Sequence, residues 1–115
     1  MDADAMKALV RGFIDDLSRR DPASAAEKFD ADRYYSHAWG GDLRETWRKQ
    51  VETGKAAAMT NIESSVDDLL ADGDRVVCRT TVAFTHSGDL FGVAATGKRI
   101  TYTHLEMWRI ENGKI

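Results

Sequence analysis

A chain of 115 residues has the size of one domain, and a composition of 43% hydrophobic and 30% charged residues is globular, neither disordered nor fibrous. The net charge of -3, with sixteen Lys and Arg scattered among nineteen acids, leaves no concentrated basic face and argues against nucleic acid as a partner. The lone Cys78 excludes an intramolecular disulfide and every multi-cysteine metal site, and it reads as a small buried hydrophobe within a strand. No apolar run approaches the roughly 18 residues of a membrane span. The start, Met1-Asp2-Ala3-Asp4, lacks the basic and apolar regions of a signal peptide, so the cytoplasm is the expected compartment.

Met6, Leu9, Val10, Phe13, Ile14 and Leu17 recur at helical spacing with charges between them, which predicts an amphipathic helix from about Asp2 to Arg19. Asp21-Pro22 reads as an N-cap followed by proline at the first helical position, opening a short helix through Phe29 that buries Ala25, Ala26 and Phe29. A third helix is expected from Asp42, where Glu45 completes a capping-box pattern. Leu43, Trp47 and Val51 share a stripe of it, and Gly54 ends it. From Ile62 the pattern becomes extended: Ile62, Ser64, Val66 and Asp68 alternate with Glu63, Ser65, Asp67 and Leu69. Asp72-Gly73-Asp74 is a turn signal, and the Val-, Thr- and Phe-rich Arg75 to His86 is a strand. Asp89 to Lys98, broken by Gly92 and Gly97, is a loop or broken strand, and Arg99 to Ile110 a long strand.

Helices first and consecutive strands after them, joined by tight turns, predict an α+β fold with an antiparallel meander in a single domain over residues 1–115. Glu111-Asn112-Gly113 is a hairpin signal, yet only Lys114 and Ile115 follow it. The returning strand is therefore expected to be missing and the long strand left as a sheet edge: either the sequence is cut short, or another chain supplies the strand.

The run Leu69-Leu70-Ala71-Asp72-Gly73-Asp74-Arg75-Val76-Val77-Cys78-Arg79 is followed by Thr85-His86-Ser87-Gly88, Phe91-Gly92-Val93 and Thr96-Gly97-Lys98. Arg109-Ile110-Glu111-Asn112-Gly113-Lys114-Ile115 closes the chain, and earlier stands Ala31-Asp32-Arg33-Tyr34-Tyr35-Ser36-His37. In this order the segments resemble the SnoaL-like polyketide cyclase and ester cyclase family, of the nuclear transport factor 2-like fold. The resemblance implies a cone-shaped barrel: a strongly curved antiparallel sheet covered by N-terminal helices, enclosing an apolar cavity, and usually a homodimer. It also implies a cofactor-free intramolecular aldol condensation on a polyketide ester, in which an aspartate of the final strand takes a proton beside a carbonyl. The sequence ends before that strand. Ala94-Ala95 stands where the family loop often has prolines, and Ser36 where an acid commonly precedes the histidine.

Period-two alternation puts Tyr102, His104, Glu106 and Trp108 on one strand face, with Thr103, Leu105 and Met107 on the other. If the first set lines an enclosed hollow, Glu106 and His104 are the catalytic acid/base candidates, while Leu105 and Met107 suit a partner subunit. The alternative is a solvated face with an incidental His–Glu pair. His37, after two tyrosines, and Arg79, inside a strand, are candidates to position a substrate oxygen; Arg79 could instead pair with Glu106 or face solvent. Tyr35, Trp39, Trp47, Tyr102 and Trp108 are candidate walls for a flat ligand, although tryptophans are also ordinary core. His86, beside Ser87-Gly88, reads as structural or exposed. His37, His104 and Glu106 could in principle make a two-histidine, one-carboxylate site, but nothing else points to a metal, and neither a phosphate loop nor a nucleophile turn is present. The expectation is a SnoaL-like enzyme or binder of a hydrophobic carbonyl compound, without cofactor, metal, membrane or nucleic acid. A non-catalytic ligand-binding or dimerisation module of the same fold is the alternative.

Overall fold

Three aspartates set where helices begin, because each lends a carboxylate oxygen to an amide that would otherwise lack a partner. Asp2 accepts from the Ala5 amide at 2.7 Å, Asp21 from Ser24 at 3.1 Å and Asp42 from Glu45 at 2.9 Å. The helices that follow are α1 (Ala3–Ser18), α2 (Pro22–Ala26), α3 (Leu43–Glu52) and α4 (Lys55–Ala58). Three strands succeed them: β1 (Met59–Asp72), β2 (Arg75–His86) and β3 (Arg99–Arg109). The computed structural model describes every residue except Arg20, Trp39 and Gly54, and every side chain except also those of Pro22, Leu43, Trp47, Gln50, Val51, Lys55 and Ala56. The expected α3 stripe of Leu43, Trp47 and Val51, and the Gly54 stop, therefore lie outside what is described. The Glu45 carboxylate does not complete a capping box; it pairs with Arg48 at 2.7 Å.

The strands form one sheet in the order β1-β2-β3. His86 bonds to Lys98, the Thr81 and Thr103 hydroxyls meet at 3.1 Å, and Ile110 donates to Asp74 at 2.8 Å. One strand climbs as the other descends, so β2 and β3 are antiparallel. Strict alternation buries Val76, Cys78, Thr80, Val82, Phe84 and His86 on one face of β2. In β1 the alternation slips by one residue at Asp67–Asp68, both exposed, which is the trace a β-bulge leaves. Asp68 thus faces out and Leu69 in, the reverse of the strict alternation expected there. Beyond β3, Asn112 (φ 52°) and Gly113 (φ 74°) form the turn that asparagine–glycine favours. No strand follows it among the described residues. The Ile115 amide donates to Lys28, and its carbonyl accepts from Asp30.

Contacts group the chain into two compact units. The first comprises Met1–Asp30, Glu63–Val82 and Tyr102–Ile115. Its core is the α1 stripe Met6, Val10, Phe13 and Ile14 with Val76, Cys78, Val82, Ile110 and Ile115. The Phe13 ring meets Phe29 edge-on at 4.7 Å and Trp108 at 5.3 Å, which fixes α1 against β3. The stripe differs from expectation at its end: Leu17 is exposed and Asp16 is buried, because Lys28 reaches back to the Asp16 carboxylate at 2.5 Å. Likewise α2 stops at Ala26, which is exposed.

The second unit comprises Ala31–Ile62 and Ala83–Thr101. Ala58, Met59 and Phe84 are buried in it, and Thr46 donates its hydroxyl to Gly41 at 3.4 Å. Gly88 packs so closely on α4 that a Cβ there would meet the Ala58 Cα at 3.2 Å. Among the described residues no helix is long and apolar enough to cross a membrane.

Candidate active site

Burial along β3 alternates without a break, and the half-buried set is Ile100, Tyr102, His104, Glu106 and Trp108. Four of these are the residues expected to share a face. The His104 Nε2 lies 2.6 Å from the Glu106 Oε1, with the two side chains 35% and 26% exposed. Such values place the pair between core and solvent, where a charge is only partly screened. The Tyr102 ring stands edge-on to His104 at 5.5 Å. Burial, and then the charge of Glu106, push the Tyr102 phenol above its ordinary value, so it stays protonated at neutral pH. Across the sheet, the Cys78 thiol is raised chiefly by burial, with Glu106 adding to it. The Trp108 Nε1 is buried without a hydrogen-bond partner.

Arg79 does not join this cluster. It is exposed on the other face of β2 and acts on Asp67, whose carboxyl is held low first by the Thr81 hydroxyl, then by Ser65, with a smaller contribution from Arg79. Of the two readings of Arg79, a partner of Glu106 or an exposed residue, the structure shows the second, because the odd positions of β2 face away from the buried even ones. His37 and Tyr35 are both exposed in the second unit, their rings 5.1 Å apart, on a loop that Ser36 and Gly41 close by backbone hydrogen bonds. Trp39 and the Trp47 side chain lie outside the described residues. The described residues include no group of three His, Cys, Asp or Glu close enough to hold a metal ion. A cleft of 470 Å³ is lined by Asp4, Lys7, Ala8, Arg11, Asp67, Asp68 and Leu69; its lining is mostly charged, and it does not include the His104–Glu106 pair.

Of the two readings of His86, structural and exposed, the structure shows the structural one. His86, at the end of β2, is almost wholly buried, and its Nδ1 meets the Thr96 hydroxyl at 3.0 Å. The even positions of β2 signalled its burial, since Val82, Phe84 and His86 fall in one register.

Over residues 8–115 the sequence matches the SnoaL-like polyketide cyclases. The chain belongs to that family. No curated protein matches it in sequence. Among solved structures, AclR from Streptomyces galilaeus, a candidate hydroxylase, superposes with a TM-score of 0.84 at 26% identity, covering 98% of this chain and 84% of AclR. IdmH from Streptomyces antibioticus, a candidate polyketide cyclase, gives 0.74 at 22%, covering 95% of this chain and 85% of IdmH. An epoxide hydrolase from M. tuberculosis gives 0.65 at 15%, covering 96% and 77% respectively. This SnoaL-like chain thus has the α+β fold the resemblance implied, with helices on a curved antiparallel sheet, and that fold hosts more than one kind of enzyme.

Proposed function

We propose that this SnoaL-like protein handles a hydrophobic carbonyl compound in an apolar pocket and, without cofactor, moves a proton beside the carbonyl in an aldol cyclisation or isomerisation. The observation that carries the reading is the 2.6 Å His104–Glu106 contact on a half-buried face. The carboxylate accepts the imidazole N–H and stabilises the imidazolium that forms when the ring takes up a proton, so the two act as one acid/base unit. In a cyclisation the pair takes a proton from the carbon next to a carbonyl. The resulting enolate then attacks a second carbonyl of the same molecule, and the alkoxide takes the proton back. Tyr102, protonated at neutral pH, is the donor to the carbonyl oxygen, and Trp108 belongs to the wall. His37, Tyr35, Trp39 and Trp47 remain substrate-binding candidates on sequence grounds alone.

The test is turnover of a polyketide methyl ester by wild type, Glu106→Gln and His104→Ala. Each variant loses a factor of about 10²–10⁴ in kcat while its stability changes by no more than about 1 kcal/mol. Unchanged turnover in Glu106→Gln removes the pair from the mechanism. Ligand binding with no turnover in the wild type makes the protein a binding module.

The reading includes a homodimer. Leu105 and Met107, 73% and 63% exposed, stand on the outer sheet face with Arg79 and Asp67. Apolar residues flanked by charges of both signs suit a twofold contact. Leu105→Lys yields a monomer by sedimentation if that face is the interface; an unchanged mass refutes it. The cytoplasm, where a lone buried thiol such as Cys78 stays reduced, is the compartment this reading assigns.

A further inference from the structure

The 470 Å³ cleft of the first unit is lined from α1 and from β1, and its volume lies in the range of small-molecule sites. Local sequence opens it. Asp4, Lys7, Ala8 and Arg11 recur at helical spacing on a face of α1 away from the buried stripe, and Ala8, the short member, leaves room there. On β1 the bulge turns Leu69 inward while Asp67 and Asp68 both stay exposed, so the strand offers the cleft one apolar side chain and two carboxylates. These charges are not spent on one another. Among the described residues the side chains of Asp4, Lys7, Arg11 and Asp68 have neither a hydrogen bond nor an ion pair. Asp67 accepts from the Thr81 hydroxyl and from Ser65 at 2.9 Å, and these bonds hold its carboxyl below its ordinary 3.8, so it is ionised at neutral pH. Lys7 and Arg11 stand one turn apart, where like charges repel, and no acid relieves them. The helix side of the cleft thus calls for an anion and the strand side for a cation, with Ala8 and Leu69 as apolar lining.

We propose that this cleft binds a zwitterion, its carboxylate on Lys7 and Arg11 and its ammonium on Asp67 and Asp68, the two joined by a short apolar chain over Ala8 and Leu69. Neither His104 nor Glu106 lines the cleft, so the inference stands apart from the reading above. The test titrates ¹⁵N-labelled wild type with 6-aminohexanoate and with two probes that each keep one of its charges, hexanoate and hexylammonium. Exposed ion pairs are individually weak, so the preference among the probes is the readout rather than the affinity itself. 6-Aminohexanoate saturates in the millimolar range, shifts amide resonances of α1 and of β1 around Asp67, and binds about two- to fivefold tighter than either singly charged probe. In the double variant Lys7→Ala, Arg11→Ala its preference over hexylammonium disappears while its preference over hexanoate remains. Asp68→Asn narrows the preference over hexanoate and leaves the other. Ala8→Leu, which fills the cleft without touching a charge, abolishes binding of all three. Absence of saturable binding to wild type overturns the inference, as do equal affinities for the three probes. So does an unchanged preference in the double variant, or binding that survives Ala8→Leu. The three-probe comparison needs no variant, so it decides even if a substituted chain fails to fold.

Discussion

The first unit holds two close pairs of oppositely charged or chargeable groups, and they sit in different surroundings. Asp16 and Lys28 meet at 2.5 Å with Asp16 only 2% exposed, and the remaining polar atoms around them are used: Arg19 bonds the other carboxylate oxygen at 3.0 Å, and the Lys28 ammonium also reaches the Ser24 hydroxyl and carbonyl. Even the approach is prepared, since a Cβ on Gly12 would stand 3.2 Å from the Lys28 Cε. His104 and Glu106 are as close, but on a half-open face. The first pair stitches α1 to the chain after α2, whereas the second stays within reach of solvent. Distance alone would not tell them apart, whereas access to solvent does.

The contrast breaks most easily on stability. Asp16→Ala strands the Lys28 ammonium and lowers Tm by on the order of 10 °C, because an unpaired charge at a helix junction must find water. Glu106→Ala lowers it by no more than about 3 °C, since solvent already reaches its partner. Thermal unfolding followed by circular dichroism checks both, and equal losses would mean that the His104–Glu106 pair is structural too.

A smaller effect sharpens the contrast through pH. The Lys28 hydrogen bond, chiefly, holds the Asp16 carboxyl below its ordinary 3.8, against the opposing pull of burial. A depressed folded-state value stabilises the protein above the unfolded-state value, and that stability is lost as pH falls through the folded one. The Tm gap between wild type and Asp16→Asn is therefore full at neutral pH and narrows below about pH 4. A gap that stays constant down to acid unfolding would show that Asp16 acts by shape rather than charge.

The Asp16–Lys28 pair was not legible in the sequence, while much of the His104–Glu106 arrangement was. Alternation on a strand has a fixed period, so Tyr102, His104, Glu106 and Trp108 could be placed on one face from their numbers alone. The same rule fixed β2 and β3 and hid the bulge: one extra residue at Asp67–Asp68 costs no change in composition yet turns Asp68 outward and Leu69 inward. Asp16 took the buried place expected for Leu17 because a lysine twelve residues on folds back over Gly12, a tertiary choice that helical spacing cannot announce. The closed loop that exposes His37 and the ten-residue reach from His86 to Thr96 are of the same kind. α4 was missed for a different reason. Its Lys55-Ala56-Ala57-Ala58 is a strong helix former, and the signal was present but too short to weigh against Gly54.

The smallest effect bears most directly on where the Glu106 charge lies. The Tyr102 phenol is raised above 10.0 first by burial and then by Glu106. Glu106→Gln removes the second cause and leaves the first, so the Tyr102 titration moves down part of the way and stops above the ordinary phenol value. Ultraviolet titration of phenolate resolves it, with a Tyr102→Phe variant identifying which of the three tyrosines moves. Cys78 answers in the same direction, because burial raises its thiol and Glu106 adds to the rise. Two groups on different strands shifting together require one negative charge within reach of both, on the inner face between β2 and β3. If neither moves, the carboxylate points away from that face, and the proton relay through His104 loses its place in the structure.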